Sequence, residues 1–239
     1  MAQYIYGKNV VKQRILNHKK VHLLLLSKTH PANEFIEMAK EAHIPIKYCE
    51  DKELSKYEGN HQGVIAEIDD YKTYDLEVVL NSLSDNATIL LLDGLEDPHN
   101  LGAILRTADA GKVDAIVIPK HGSVQLNGTV AKVSTGAIET VKTIQVTNMT
   151  QTIETLKKHR FWVYGSEYAD NAVDYRSIKY QGRVAIVIGS EGRGISRLVL
   201  KNCDQIIKIP MYGEINSLNA SVSAALLIYE VLNQHNPLI

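Results

Sequence analysis

Residues 184–195 read Val-Ala-Ile-Val-Ile-Gly-Ser-Glu-Gly-Arg-Gly-Ile. The first five residues form an uninterrupted apolar run, which is typical of a strand covered on both faces in a parallel sheet. A glycine-rich turn follows directly, and open α/β sheets place their ligands beyond the carboxyl ends of such strands. We therefore predict a parallel-sheet domain with a functional loop at residues 189–194. The turn is not the dinucleotide fingerprint, because its glycine spacing is wrong.

The alternation of strand and helix extends over the second half of the chain. Further strands are predicted at Thr88–Leu92, Ala115–Ile118, Phe161–Tyr164 and Gln205–Ile209. Helices are predicted at Leu101–Ala110, Thr150–His159, Ser196–Asn202 and Ala220–Asn233. Alternating β and α segments indicate a layered α/β domain with a mainly parallel sheet.

The first 70 residues form a smaller α/β pattern. Strands are predicted at Val21–Leu26, Ile44–Tyr48 and Gly63–Ile68, and Pro31 suits the first turn of a helix. Residues 71–86 combine a polar segment with a short helical pattern. The chain is therefore predicted to divide into a domain at residues 1–70, a linker at 71–86 and a second domain at 87–239.

The composition is that of a globular protein. The 239 residues are 45% hydrophobic and 22% charged, with a formal net charge of -1, which excludes a collagen-like or low-complexity scaffold. The apolar run Val21–Leu26 is too short to cross a bilayer. The first residues lack a signal-peptide pattern, so we expect a cytoplasmic protein without a membrane anchor. Cys49 and Cys203 lie far apart in the sequence, which favours reduced thiols over a metal or redox site.

The first 30 residues differ from the rest in charge. They contain no Asp or Glu, but six basic residues: Lys8, Lys12, Arg14, Lys19, Lys20 and Lys28. Such a segment can contact RNA phosphates. It can also be an ordinary solvated face that the acidic residues at 50–53 balance, and charge alone favours this second interpretation.

Polar residues concentrate in three segments that follow predicted strands, at residues 92–109, 187–195 and 209–223. Taken singly, each has a structural explanation. Asn100 and Asn219 could cap helices, and Arg106 could be the partner in a buried ion pair. Taken together and in this order, the segments resemble the three signature motifs of the SpoU (TrmH) family of SPOUT RNA methyltransferases. The matching residues are Asn100-Leu101-Gly102 with Arg106, then Gly189-Ser190-Glu191-Gly192, then Ile209-Pro210-Met211 with Ser217-Leu218-Asn219-Ala220-Ser221-Val222.

The resemblance implies a fold and an assembly. It implies a small N-terminal α/β RNA-binding domain and a C-terminal SPOUT α/β domain with a deep trefoil knot. Members usually form homodimers through the knotted domain, and the apolar last helix fits either that interface or a plain core. The implied RNA partner favours an RNA surface on the basic segment, for which the candidates are Lys8, Lys12, Arg14, Lys19 and Lys20.

The resemblance also implies S-adenosylmethionine as the cofactor. The family binds it largely through backbone groups at positions that match Gly189, Ile209 and Leu218, with Met211 nearby. Backbone donors and acceptors can read an adenine edge without charged side chains, and a glycine lets the chain approach closely. No metal is implied.

Five polar positions match those of the family's active site. Methylating a ribose hydroxyl requires aligned reactants and stabilisation of the negative charge that develops on the 2'-oxygen. The resemblance places Arg106 at that oxygen. A guanidinium stays protonated in proteins, so we expect Arg106 to stabilise charge rather than to act as a base. Glu191 is expected to hold Arg106 or Asn100 in place, and Ser217 and Asn219 to orient the ribose.

The function implied first is S-adenosylmethionine-dependent 2'-O-methylation of a guanosine in 23S ribosomal RNA. His61-Gln62-Gly63-Val64 and Gln125-Leu126-Asn127 resemble that bacterial branch, which points to the P loop of the peptidyl-transferase centre. The alternatives are methylation of transfer RNA or of another ribosomal RNA site. A non-catalytic RNA-binding assembly factor is a further alternative, against which the intact polar positions argue. A nicotinamide-dependent dehydrogenase is disfavoured by the missing fingerprint.

Overall fold

A computed structural model describes residues 3–30, 32–57 and 61–236, so Pro31 lies outside the described residues. The chain divides into two compact units. One comprises Met1–Lys72 and Leu126–Glu139, and the other comprises Thr73–Gln125 and Thr140–Ile239. The division thus groups residues 126–139 with the N-terminal unit, although the sequence pattern places them in the second domain.

The first unit is built on a four-stranded mixed sheet in the order β1-β4-β2-β3. Its strands are β1 (Gln3–Tyr6), β2 (Leu23–Ser27), β3 (Ile46–Cys49) and β4 (Val64–Ile68). The helices of this part of the chain are α1 (Lys8–Leu16), α2 (Asn33–Glu41) and α3 (Asp51–Leu54). β4 pairs antiparallel with β1 and β2, whereas β2 and β3 are parallel. The strands β2, β3 and β4 confirm the predicted ones to within a few residues.

The second unit is built on a seven-stranded sheet in the order β7-β6-β5-β10-β8-β11-β9. Its strands are β5 (Ala87–Asp93), β6 (Ala115–Pro119), β7 (Thr143–Val146), β8 (Phe161–Ser166), β9 (Val173–Asp174), β10 (Arg183–Gly189) and β11 (Gln205–Lys208). All of its strand pairs are parallel, which confirms the predicted sheet type. β10 lies between β5 and β8, and its apolar run is buried from Val184 to Ile188.

The remaining helices lie before, between or after the strands of this sheet in the chain, although the helix at Gly128–Ser134 belongs to the first unit, where it packs against β1. They are α4 (Leu76–Asn81), α5 (Pro98–Ala110), α6 (Gly128–Ser134), α7 (Ala137–Thr140), α8 (Met149–Lys158), α9 (Arg197–Asn202) and α10 (Ala220–His235). α10 packs against α5 and β10. Leu227 and Val231 of α10 are buried, whereas Val222, Leu226 and Tyr229 are 39–47% exposed. One face of α10 therefore belongs to the core and the other is open. The implied trefoil knot stays a prediction.

Candidate active site

A cavity of about 370 Å³ lies beyond the carboxyl ends of β8, β10 and β11. The four predicted cofactor residues all line it: Gly189, Ile209, Met211 and Leu218. The loop after β10, which the sequence predicts to be functional, thus borders a cavity at the end of the sheet, where open α/β sheets place their ligands. Pockets for small molecules commonly measure ~300–1,000 Å³, so this cavity has the size of a small-molecule site.

The loop after β10 is a tight backbone hairpin. The backbone N–H groups of Ser190 and Gly194 each donate to the other residue's carbonyl, with N···O distances of 3.1 and 2.9 Å. A Cβ atom added to Gly189 would lie 2.1 Å from the carbonyl carbon of Gly194, so no larger residue fits there. Gly192 has φ of +78° at the tip, a conformation that favours glycine. The hairpin therefore fixes the backbone of Glu191, which lies within it.

Three of the predicted catalytic residues form one hydrogen-bonded network. The Asn100 Nδ2 donates to Glu191 Oε1 at 2.7 Å, and the Asn219 Nδ2 donates to the same oxygen at 2.8 Å. The Asn219 Nδ2 also lies 3.0 Å from Asn100 Oδ1. Of the two residues that Glu191 was expected to hold, it contacts Asn100. Asn100 is buried, so the network is anchored in the protein interior.

The two asparagines differ in their relation to the helices that carry them. Asn100 lies in the first turn of α5 and does not cap it, because the N-cap is Asp97, which accepts from the backbone N–H of His99. Asn219 is the N-cap of α10, and its Oδ1 accepts from the backbone N–H of Ser221 at 2.9 Å. The capping interpretation is therefore wrong for Asn100 and correct for Asn219.

Arg106 and Ser217 lie apart from the network. Arg106 is exposed, and among the described residues it has no hydrogen-bond or ion-pair partner. The interpretation of Arg106 as a buried ion-pair residue is therefore wrong. It lies six positions after Asn100 in α5, which corresponds to about 9 Å along the helix and a different side of it. Ser217 is exposed and lines the cavity.

Comparisons with known proteins agree with these motifs. Residues 87–229, more than half of the chain, match the family model described as the SpoU rRNA Methylase family. The chain belongs to this family. Residues 4–74 match a second family model, described as RNA 2'-O ribose methyltransferase substrate binding. This SpoU methylase is thus an RNA 2'-O-ribose methyltransferase with a substrate-binding region before the methylase region.

Full-length relatives and solved structures support the same assignment. A TrmH family tRNA/rRNA methyltransferase of Staphylococcus aureus (strain MSSA476) is 47% identical, over 97% of this chain and 96% of its own. A crystal structure of an RNA 2'-O ribose methyltransferase is 27% identical with a TM-score of 0.79, covering 98% of this chain and 89% of that chain. The SpoU methyltransferase AviRb from Streptomyces viridochromogenes, in complex with the cofactor AdoMet, has a TM-score of 0.86 at 19% identity, covering 98% and 90% of the two chains. This last similarity concerns the fold alone.

Several residues of the cavity wall in this SpoU methylase were not among the predicted site residues, although two of them lie in the candidate segment 209–223. They are Ser166, Glu167, Tyr168, Asn216 and Ser223. Ser166 is the last residue of β8, and Glu167 and Tyr168 follow it directly. The predicted strand Phe161–Tyr164 already indicated roughly where β8 would end. These three residues could have been predicted from the rule that ligands lie beyond strand ends, whereas the motif resemblance did not include them.

The basic residues of the N-terminal unit do not form one exposed set. Lys8, Lys19 and Lys20 are exposed. The Lys12 Nζ lies 2.9 Å from a carboxylate oxygen of Glu34. Arg14 is buried at 8% exposure. This burial removes Arg14 from the surface on which it was expected to meet RNA.

Arg14 instead joins helix α1 to the segment 126–139 within the first unit. Its guanidinium forms an ion pair with Glu139, and its Nε donates to the carbonyl of Lys20 at 3.2 Å. A second contact joins β1 to the same segment, because the Tyr6 hydroxyl lies 2.7 Å from Thr129 Oγ1. Arg14 is therefore a structural residue of the substrate-binding unit.

The described residues provide no site for cysteine chemistry or for metal binding. Both cysteine thiols are free, and burial raises the pKa of Cys203 to about 12, which keeps this thiol protonated and unreactive. Among residues 3–30, 32–57 and 61–236, no three or more His, Cys, Asp or Glu side chains are grouped to hold a metal ion. In the same part of the chain, no helix has the length and apolarity to cross a membrane.

Proposed function

We propose that this SpoU methylase transfers a methyl group from S-adenosylmethionine to the 2'-hydroxyl of a guanosine in 23S ribosomal RNA. One observation carries the proposal. The hydrogen-bonded network of Asn100, Glu191 and Asn219 adjoins a cavity that Gly189 and Leu218 line. A site for a small molecule thus meets a set of fixed polar groups, as group transfer between two bound reactants requires.

The cavity wall fits this cofactor. Asn216, Ser217 and Leu218 line it, and none of them makes a hydrogen bond with another described residue. Their backbone donors and acceptors are therefore available to an adenine ring or a ribose. When bound, S-adenosylmethionine supplies an electrophilic methyl group. Gly189, Ile209, Met211 and Leu218 would hold it, as the resemblance implies.

The polar network would orient the ribose. Glu191 Oε1 accepts from two amide groups, so its position is fixed before substrate arrives. Asn219 is fixed in turn by capping α10, and Ser217 lies two residues away on the cavity wall. Preorganised polar groups of this kind lower the barrier because they do not reorganise during the reaction.

Arg106 would stabilise the charge that develops on the 2'-oxygen as its proton leaves. Its side chain is exposed and, within the described residues, not neutralised by a carboxylate. A free guanidinium can therefore meet an incoming RNA. The proton passes to water or to an RNA phosphate, because a guanidinium does not deprotonate in proteins.

The assembly and location follow from the same proposal. Val222, Leu226 and Tyr229 form an exposed apolar stripe along α10, at the spacing that puts residues on one helix face. We propose that this stripe is the interface of a homodimer. We also place the protein in the cytoplasm, where its RNA substrate is found.

The experiment that tests the function maps 2'-O-methyl groups in cellular RNA with and without the gene. Loss of one site in 23S ribosomal RNA is expected. Loss of a site in transfer RNA instead would keep the chemistry and overturn the substrate. No change in any RNA would favour a non-catalytic RNA-binding factor.

A mutation at Arg106 tests the mechanism. Arg106→Ala should slow the chemical step by ~10²–10³ in single-turnover methylation. It should leave the melting temperature nearly unchanged, because the side chain is exposed and unpartnered. Arg106→Lys keeps the charge but loses the planar fork, so it should restore little activity. Wild-type rates for Arg106→Ala would refute the assignment.

A further inference from the structure

The charged side chains of the cavity wall are all acidic. The only Asp, Glu, Lys, Arg or His side chains among its described lining residues are the two carboxylates of Glu167 and Glu191. Glu191 is engaged by two amide donors. The cavity therefore carries negative charge that no lining cation balances.

Glu167 is held in place on this wall by contacts from two directions. Its backbone N–H donates to the carbonyl of Ile207 at 3.0 Å, which ties it to β11. Its Oε2 accepts from the backbone N–H of Ile195 at 3.0 Å. A Cβ atom added to Gly194 would lie 2.6 Å from the same oxygen, so the carboxylate lies directly against the glycine hairpin.

A fixed carboxylate in a concave site favours ligands with positive charge, because the walls exclude much of the water that would screen it. The proposed cofactor carries a positive charge on sulfur. Methyl transfer leaves the electron pair of the broken carbon–sulfur bond on sulfur, so the product S-adenosylhomocysteine is neutral at that atom. The two ligands are otherwise nearly alike in shape.

We propose that Glu167 is a specificity-determining residue that makes the cavity prefer the sulfonium cofactor over its demethylated product. This inference rests on the proposed function, since it assumes that S-adenosylmethionine binds in this cavity. Its consequence is that the reaction weakens the binding of its own product, which favours product release after each turnover.

A purely structural role for Glu167 makes a different prediction. If the carboxylate served only to accept from Ile195, then Glu167→Gln would preserve that role, because the amide oxygen is also an acceptor. The substitution removes the charge and keeps the shape. Glu214 provides a matched control, because it is exposed in the segment after β11 and is not among the lining residues.

The experiment is calorimetric titration of the full chain with S-adenosylmethionine and with S-adenosylhomocysteine. Glu167→Gln should weaken S-adenosylmethionine binding by roughly tenfold and change S-adenosylhomocysteine binding by less than about twofold. Added salt should reduce the wild-type protein's preference for S-adenosylmethionine over S-adenosylhomocysteine, because salt screens the interaction between the carboxylate and the sulfonium. Glu214→Gln should leave both affinities unchanged.

Two results would overturn the inference. Equal changes in both affinities would show that Glu167 acts through structure alone, and no change in either would show that it does not act on the ligand. In both cases the wild-type protein still binds S-adenosylmethionine, so the proposed function stands. If the wild-type protein binds neither ligand, the cofactor assignment fails together with the inference.

Discussion

Replacing Asn100 by aspartate would place a second carboxylate against Glu191. The Asn100 Nδ2 donates to Glu191 Oε1 at 2.7 Å, and Asn100 is only 5% exposed. Asn100→Asp keeps the shape of the side chain but turns this donor into an acceptor. Two ionised carboxylates would then face each other at hydrogen-bonding distance, one of them on a buried residue.

The size of the effect follows from this distance. At an effective dielectric constant of ~20, two unit charges about 3 Å apart repel by roughly 5 kcal/mol. A proton retained between the carboxyl groups avoids this repulsion, so the pair should keep one proton up to a pH well above the usual pKa range of carboxyl groups. Its pKa in the folded state is then higher than in the unfolded state. The variant should therefore be closest to wild type in acid and lose stability as the pH rises through the folded-state pKa.

Thermal unfolding of Asn100→Asp and the wild type between about pH 5 and pH 8 measures this difference. The gap in melting temperature should widen with pH and reach on the order of 10 °C. Asn148→Asp is the control, because Asn148 is an exposed N-cap of α8 where aspartate serves equally well. A gap of zero, or one that does not change with pH, would refute the network as described.

Three further predictions concern the core of the first unit, the RNA surface and the assembly. Arg14→Met should destabilise the protein by roughly 3–5 kcal/mol in urea unfolding, because it leaves the carboxylate of Glu139 unpaired in a site that is 18% exposed; wild-type stability would contradict the buried ion pair. Replacing Lys8 and Lys19 by glutamine should reduce the salt slope of RNA binding by about 0.7–0.9 for each phosphate that a lysine neutralises in the wild type. An unchanged slope would make these lysines an ordinary solvated face. Leu226→Glu should convert a dimer into a monomer in analytical ultracentrifugation, and a monomeric wild type would rule out the proposed interface.

The elements that the sequence predicted are the ones with the strongest apolar patterns. β5 and β10 are central and buried on both faces, so their sequences are continuous apolar runs. β9 has two residues at the sheet edge, which is too short to leave a pattern. α1 escaped prediction because its buried face includes the charged Arg14 beside Val11 and Ile15. Charge patterning classified that residue as surface, and only the tertiary partner Glu139 explains its burial.

For the site, the sequence predicted the residues of the hydrogen-bonded network but not the contacts between them. The motif resemblance identified Asn100, Glu191 and Asn219, but it left open which of them touch. Asn100 and Glu191 are 91 residues apart in the sequence and Asn100 and Asn219 are 119 apart. No periodicity relates such positions, because the sheet order brings them together. Glu167 was missed since it lies outside the three motifs, and its role depends on a contact with the hairpin after β10.

Asn219 shows why the capping and the functional interpretations of one residue need not compete. A carboxamide has an acceptor at one end and two donors at the other. The acceptor Oδ1 caps α10 through Ser221, and the donor Nδ2 reaches Glu191 and Asn100. Aspartate, serine or threonine can cap a helix equally well, but none of them supplies an amide donor to a carboxylate at the same time. The hydrogen bonds to Glu191 and Asn100 therefore explain why asparagine is found at this N-cap. Because α10 packs on the core, it also determines where the Asn219 Nδ2 donor points.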